Sequence, residues 1–260
     1  MKYITVICAG TGNKNGRKAE GMLRLDKFLC EMNIGSRSQV KLYLKQGLVT
    51  VNGEIITKPE TKVDENKDEV AFKGASCRYR RYVYYMLNKP QDIVSATKDN
   101  LNVTVTELLK DTGYMDLFPV GRLDKDTEGL LLMTNDGALA HDLLSPKKHV
   151  KKVYFARLER ALTEEDVRLL EQGVDIGEEK YTLPARVEIL PDQCIHLTIT
   201  EGKFHQVKRM LNAVGNNVLY LKRVVMGSLR LDEGLRPGEY RELTTEEIQC
   251  LKQKGCGEKG

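Results

Sequence analysis

The chain has 260 residues, 41% of them hydrophobic and 30% charged, with a formal net charge of +4 and a pI of about 8.6. That is enough chain to bury the core of one large or two modest domains, and too apolar a composition for a disordered protein. The apolar runs fall far short of a membrane span. Cys8, Cys30, Cys77, Cys194, Cys250 and Cys256 form no CxxC pair, and the four histidines do not cluster near them. Neither a zinc site nor a disulfide framework is expected, and scattered free thiols suit a cytoplasmic location without membrane attachment. The positive charge hints at a polyanionic partner, and its distribution says more than its sum.

Residues 1–21 read as a dispensable N-terminal extension. Residues 4–9 could form a strand, but Gly10-Thr11-Gly12 lacks the following helix that a nucleotide loop needs. Residues 12–21 are polar and Gly-rich, and Met22 opens what looks like a natural start.

Residues 22–72 read as one compact unit. Leu25, Phe28, Leu29 and Met32 fall on one helix face, and Asn33-Ile34-Gly35 ends that helix. Ser36 can cap a second helix, marked by Val40, Tyr43 and Leu44 and stopped at Gln46-Gly47. A strand over 49–51, an Asn52-Gly53 turn and a return over 54–56 complete the pattern. Residues 24–58 carry Arg24, Lys27, Arg37, Lys41, Lys45 and Lys58 against Asp26, Glu31 and Glu54, whereas 60–69 is strongly acidic. Arg37, Lys41 and Lys45 recur every four residues, on a helix face without acids to pair with, which fits phosphate binding better than an ordinary solvated face. The segments Arg24-Leu25-Asp26-Lys27-Phe28-Leu29, Gly35-Ser36-Arg37-Ser38 and Gly47-Leu48-Val49-Thr50-Val51-Asn52-Gly53 resemble an S4 RNA-binding domain. The resemblance implies a small αL-type module that binds structured RNA through Arg24, Lys27, Arg37, Lys41 and Lys45, and implies no chemistry.

Residues 73–81 follow as a basic linker, with Lys73, Arg78, Arg80 and Arg81 and no acid. From Tyr82 to Glu247 strands alternate with short helices, so an α+β domain is predicted. Strands are expected at 83–87, 118–120, 129–133, 153–158, 195–199 and 219–225. Helices are expected at 103–109, at 138–144 ended by Ser145-Pro146, after the capping residues Thr163-Glu164-Glu165-Asp166, and from about His205 to Gly215. Residues 248–260 read as a C-terminal tail.

Three segments of this domain carry chemistry. Gly121-Arg122-Leu123-Asp124 puts a carboxylate in a turn between two strands. A backbone-capping aspartate is the bland alternative. An aspartyl-nucleophile phosphatase is a poor rival, because Glu128 stands where that motif needs Thr or Val. Lys147, Lys148, Lys151 and Lys152 precede Tyr154, a residue that could pack in a core or stack on a base. Lys203, Lys208 and Arg209 surround a helix start, where cations oppose the macrodipole, so an anionic ligand or a carboxylate partner is expected there.

Taken together, the Gly-Arg-Leu-Asp segment, Lys152-Val153-Tyr154 and the segment from Glu201 to Met210 resemble the family of the ribosomal small-subunit pseudouridine synthase A. The resemblance runs from about Leu23 to Glu247. It implies a mixed, largely antiparallel sheet in the catalytic domain, with Asp124 as catalytic aspartate. It further implies that Tyr154 packs on the target uracil and serves as a base, that Lys208 pairs with Asp124, and that Arg122 fills the gap left by a flipped nucleotide. Isomerising uridine needs no redox or hydrolytic step, so no cofactor or metal is expected. Lys203-Phe204-His205-Gln206-Val207-Lys208 and Tyr181-Thr182-Leu183-Pro184-Ala185 look like the small-subunit branch. The expected partner is therefore 16S rRNA, at the uridine-516 type of site, or a small-subunit assembly intermediate, bound by a monomer. Large-subunit 23S rRNA is the first alternative, and a non-catalytic S4-type RNA-binding protein the second.

Overall fold

The computed structural model describes residues 22–253 apart from 33, 66, 78–81, 113 and 115. The expected N-terminal extension, Arg78, Arg80 and Arg81 of the linker, Cys8 and Cys256 lie outside the described residues. The chain divides into two compact units, Met1–Val83 with Leu109–Leu117, and Tyr84–Leu108 with Phe118–Gly260. The division at 83/84 falls close to the expected start of the second domain, but 109–117 groups with the first unit.

The first unit runs β1 (Leu23–Arg24), α1 (Leu25–Glu31), α2 (Arg37–Lys45), β2 (Val49–Val51), β3 (Glu54–Ile55), β4 (Lys62–Val63), β5 (Val70–Phe72) and β6 (Ala75–Cys77). Leu25, Phe28 and Leu29 of α1 are buried as their spacing predicts. Ser36 and Gln39 form a reciprocal capping box at the start of α2, satisfying two orphan donors. Asn52 and Gly53 both have positive φ (53° and 87°), as the tight turn between β2 and β3 requires. The sheet order is β3-β2-β5-β6, and β1 pairs with β4.

The pairing and core of this unit run past the boundary expected at residue 72. Lys73 and Gly74 are a second two-residue turn with positive φ (50° and 78°), and β6 pairs with β5. Cys77 is buried with Leu29, Val40 and Val49, so what reads as the start of a linker closes this unit's core.

The second unit runs β7 (Tyr84–Lys89), β8 (Phe118–Pro119), β9 (Glu128–Thr134), α3 (Gly137–Leu144), β10 (Lys152–Leu158), α4 (Glu164–Gln172), β11 (Arg186–Leu190), β12 (Cys194–Ile199), α5 (Gln206–Ala213), β13 (Val218–Met226), β14 (Leu229–Arg230), β15 (Tyr240–Glu242) and α6 (Thr245–Lys252). Its sheet has the order β11-β12-β10-β13-β9-β7-β15, with β14 beside β13 and β8 beside β9. Among the named strands, pairing is antiparallel except β13 with β9, which is parallel. β7 is buried along its whole length and β9 nearly so, which explains the unbroken apolar run at 129–133.

Two expectations fail here. The helix at 103–109 does not form: Val103-Thr104-Val105-Thr106 is a β-branched run in which Thr104 bridges to Val94, the Val94 amide donating to the Val103 carbonyl and the Val105 amide to the Val94 carbonyl, and a 3-10 turn follows at Glu107–Thr112. The tail does not begin at 248, because α6 starts from a Thr244 capping box and buries Leu251, with Ile248 packed beside it, against the core of this unit.

Candidate active site

Asp124 lies in the connection from β8 to β9, at the end of β9 that pairs with β13. Three backbone devices shape that connection. Ser95 Oγ donates to the Leu123 carbonyl (2.9 Å) and accepts from the Leu123 amide (3.1 Å). The Thr127 amide donates to the Asp124 carbonyl (3.1 Å). Beneath the turn, the fully buried Lys89 donates from Nζ to the carbonyls of Pro90 (2.9 Å), Lys125 (3.1 Å) and Thr127 (2.9 Å). Burial pushes the Lys89 pKa down to about 8, although the charges of Asp126 and Asp124 oppose the shift. Gly129 then enters β9 at φ 104°, in register with Arg223 of β13. A Cβ there would stand 2.3 Å from the Arg223 carbonyl oxygen, so only glycine lets the parallel pair close.

The start of α5 faces the Asp124 carboxylate. His205 Nε2 is 3.5 Å from Asp124 Oδ1, and Lys208 Nζ is 3.6 Å from Asp124 Oδ2. The shorter contact of Lys208 is to Asp126 Oδ1, at 2.5 Å. Burial raises the Asp126 carboxyl, but the hydrogen bond and charge of Lys208 together hold it below the usual aspartate value. Lys208 therefore bridges two carboxylates, and Asp124 has the His205 imidazole as a neighbour besides the Lys208 ammonium expected.

The other cations of that segment serve the scaffold. Lys203 Nζ donates to the carbonyls of Lys180 (3.0 Å) and Tyr181 (3.4 Å). Arg209 bonds Glu178, the Phe204 carbonyl and the Ile176 carbonyl. The carboxylate partner expected at this helix start is present: Lys208 meets the carboxylates of the turn and Arg209 that of Glu178, while Lys203 and Arg209 also bind carbonyls of the 176–181 loop. Gln206 is buried, accepts from the Lys203 amide (2.9 Å) and donates to Glu201 Oε1 (2.7 Å), which locks the approach to the helix.

A cleft of about 860 Å³ opens over this ground. Arg122, Asp124, Tyr154 and His205 all line it. Arg122 is exposed. Tyr154, in the middle of β10, is buried and sits opposite Arg223 of β13 and Leu197 of β12. Arg223 also lines the cleft; its Nε donates to the Leu130 carbonyl (2.8 Å), and among the described residues its Nη2 finds no partner. Lys152 turns inward, bonding the carbonyls of Val150 (3.0 Å) and Glu201 (3.5 Å). Burial, with the charge of Arg223, lowers its pKa to about 8. Lys89, His205 and Arg223 were not singled out by sequence. His205 alone had a usable signal, its place in the segment from Glu201 to Met210.

In the first unit the five basic residues separate into two classes. Arg24 forms a two-point pair with Asp26 (3.0 and 2.8 Å), and Lys27 pairs with Glu31 (3.6 Å). Arg37, Lys41 and Lys45 are exposed along α2 and have no ion-pair partner among the described residues.

Residues 83–213 match the RNA pseudouridylate synthase family, and residues 23–69 match the S4 domain. An RNA pseudouridine synthase of Bacillus subtilis (strain 168) is 49% identical over 236 residues, covering 89% of this chain and 99% of that protein. The ribosomal small subunit pseudouridine synthase A of Escherichia coli (strain K12) is 41% identical over 231 residues, covering 88% and 100%. A crystal structure of a pseudouridylate synthase aligns with a TM-score of 0.62 at 40% identity, covering 88% of this chain and 99% of that one. Among the described residues, no helix is long and apolar enough to cross a membrane.

Proposed function

The chain belongs to the RNA pseudouridylate synthase family and is an S4-containing pseudouridine synthase, and from that premise we propose that it isomerises one uridine of 16S rRNA with Asp124 as the catalytic carboxylate. The observation that carries the assignment of Asp124 is its position in the cleft, between His205 and Lys208 and on the same cleft wall system as Tyr154.

The chemistry breaks the N1–C1′ bond, turns the base and forms a C5–C1′ bond; a proton leaves C5 and N1 gains one. Atoms and electrons balance within the substrate and exchangeable protons, so the reaction calls for no redox partner. A stacked uridine hides both bonds, so the nucleotide must leave its stack. Arg122, an exposed guanidinium at the cleft, fills the gap that results. Tyr154 packs on the uracil and takes the C5 proton. Asp124 acts ionised, attacking C1′ or C6 or removing the C2′ proton. In a closed cleft a carboxylate tends to protonate, and the Lys208 ammonium beside it opposes this. Arg37, Lys41 and Lys45, which form no ion pair among the described residues, hold phosphates while the second unit does the chemistry.

The 16S assignment is supported by the name of the Escherichia coli relative and by the segments at 181–185 and 203–208. Mapping pseudouridines in rRNA from cells with and without the chain tests it. One site in 16S rRNA should vanish and return with wild type but not with Asp124→Asn, whose RNA affinity should stay within a few-fold of wild type. A lost site in 23S rRNA would move the substrate to the large subunit. Activity retained by Asp124→Asn would remove the catalytic assignment.

A further inference from the structure

Phe204 is 70% exposed, although it stands beside the most tightly organised part of the cleft. Its ring stacks on His205, with centroids 3.8 Å apart and planes 19° from parallel. His205 in turn reaches Asp124 at 3.5 Å. The backbone that presents this pair is held from both sides. The Phe204 carbonyl accepts from Arg209 (3.1 Å), the Lys203 amide donates to Gln206, and Gln206 donates to Glu201. His205 sits in the left-handed region at φ 49°, a conformation that residues with a Cβ adopt sparingly and that the surrounding structure must enforce. Such backbone cost collects at functional sites. An aromatic ring needed for packing would be buried; this one lines the cleft with one face on His205 and most of its surface open to solvent.

Resting on the functional reading above, we propose that the Phe204–His205 stack is a platform for the nucleobase next to the target uridine. Flipping one nucleotide strips its neighbours of a stacking face, and an aromatic ring restores that contact without reading sequence. The target base itself belongs deeper, against the buried Tyr154. Lys208 and Arg122 nearby supply positive charge for the adjoining phosphates. Phe has only two side-chain torsions, and its backbone is already fixed, so little ordering is needed on binding.

The chain contains no tryptophan, so Phe204→Trp introduces a lone indole at the platform. The probes are an rRNA fragment containing the mapped uridine, and two versions with an abasic site on one or the other side of it. Indole emission should be quenched by the intact fragment and by one abasic version, and not by the version lacking the stacked neighbour. Phe204→Leu should bind the intact fragment about 5- to 150-fold more weakly than wild type and show no such deficit on that abasic version. Its melting temperature should stay within about 2 °C, since the ring buries little. Unchanged emission, unchanged affinity, or an equal deficit on all three fragments would overturn the platform. None of these readouts uses isomerisation. If Asp124→Asn retained activity, the catalytic reading would fail while the binding result stood.

Discussion

Replacing Lys89 with methionine removes the ammonium that ties the Asp124 turn to β7. Methionine keeps the stem length and apolar bulk, so the change deletes hydrogen bonds without opening a large cavity. The carbonyl of the buried Thr127 loses its donor, at a cost of about 1–3 kcal/mol, while those of Pro90 and the exposed Lys125 can turn to water. The pH dependence isolates the buried charge. Burial lowers the Lys89 pKa from 10.5 to about 8, so above about pH 8 the unfolded chain binds more protons than the folded one, and stability rises with pH until the unfolded lysine also titrates. At face value that shift amounts to about 3 kcal/mol; allowing for solvent screening, roughly 1–2 kcal/mol is expected. The variant lacks this term. The stability gap between wild type and Lys89→Met should therefore widen by that amount between about pH 7.5 and pH 10. Lys152, also held near 8, and Tyr220, whose pKa is raised by burial and by Glu128, titrate in both proteins and cancel. Urea unfolding followed by circular dichroism at fixed pH reads the gap. Single-turnover pseudouridine formation should also fall, by about tenfold or more, because the carboxylate loses its placement. A gap that stays constant or narrows would refute the buried ammonium, and unchanged turnover would refute its positioning of Asp124.

Lys208→Met should lower turnover by at least about tenfold while moving stability by less than about 1 kcal/mol, because its partners are partly solvated; equal turnover at equal RNA saturation would remove Lys208 from the site. Gly129→Ala should cost roughly 2–4 kcal/mol, since its Cβ meets the Arg223 backbone and its φ is 104°. In differential scanning calorimetry that is a drop of about 4–16 °C, and a shift of under about 2 °C would contradict the close pairing of β9 and β13. Changing Arg37, Lys41 and Lys45 together to Gln should flatten the log–log salt dependence of RNA binding by about 2–3, leaving the step on bound RNA nearly unchanged. An unchanged slope in salt-titrated binding would show that this face of α2 does not contact phosphate.

Much of the fold is legible in the chain because its signals are short-range. The helical spacing of Leu25, Phe28 and Leu29, the Ser36 and Thr163 caps, the Asn52-Gly53 turn and the apolar run at 129–133 each need only neighbours a few positions away. The turn holding Asp124 and the helix starting near His205 are visible for the same reason. Tertiary contacts decided the rest. Lys203, Lys208 and Arg209 are equivalent as a cluster of charges, and only the 176–181 loop and the turn at 124–126, the latter 82 positions from Lys208, determine that one cation serves the carboxylates of that turn and two serve the scaffold. Lys89 carries no signal in the sequence, just past the strand expected at 83–87. It becomes a buried support because the carbonyls that solvate its charge, 36 and 38 positions on, fold back over it. Cys77 and Leu251 read as linker and tail until the hairpin and the last helix carry them into cores. Periodicity and capping act within one element. The partner a buried cation finds, and the end of a domain, depend on which distant segments exclude water together, and that is settled only when the chain has packed.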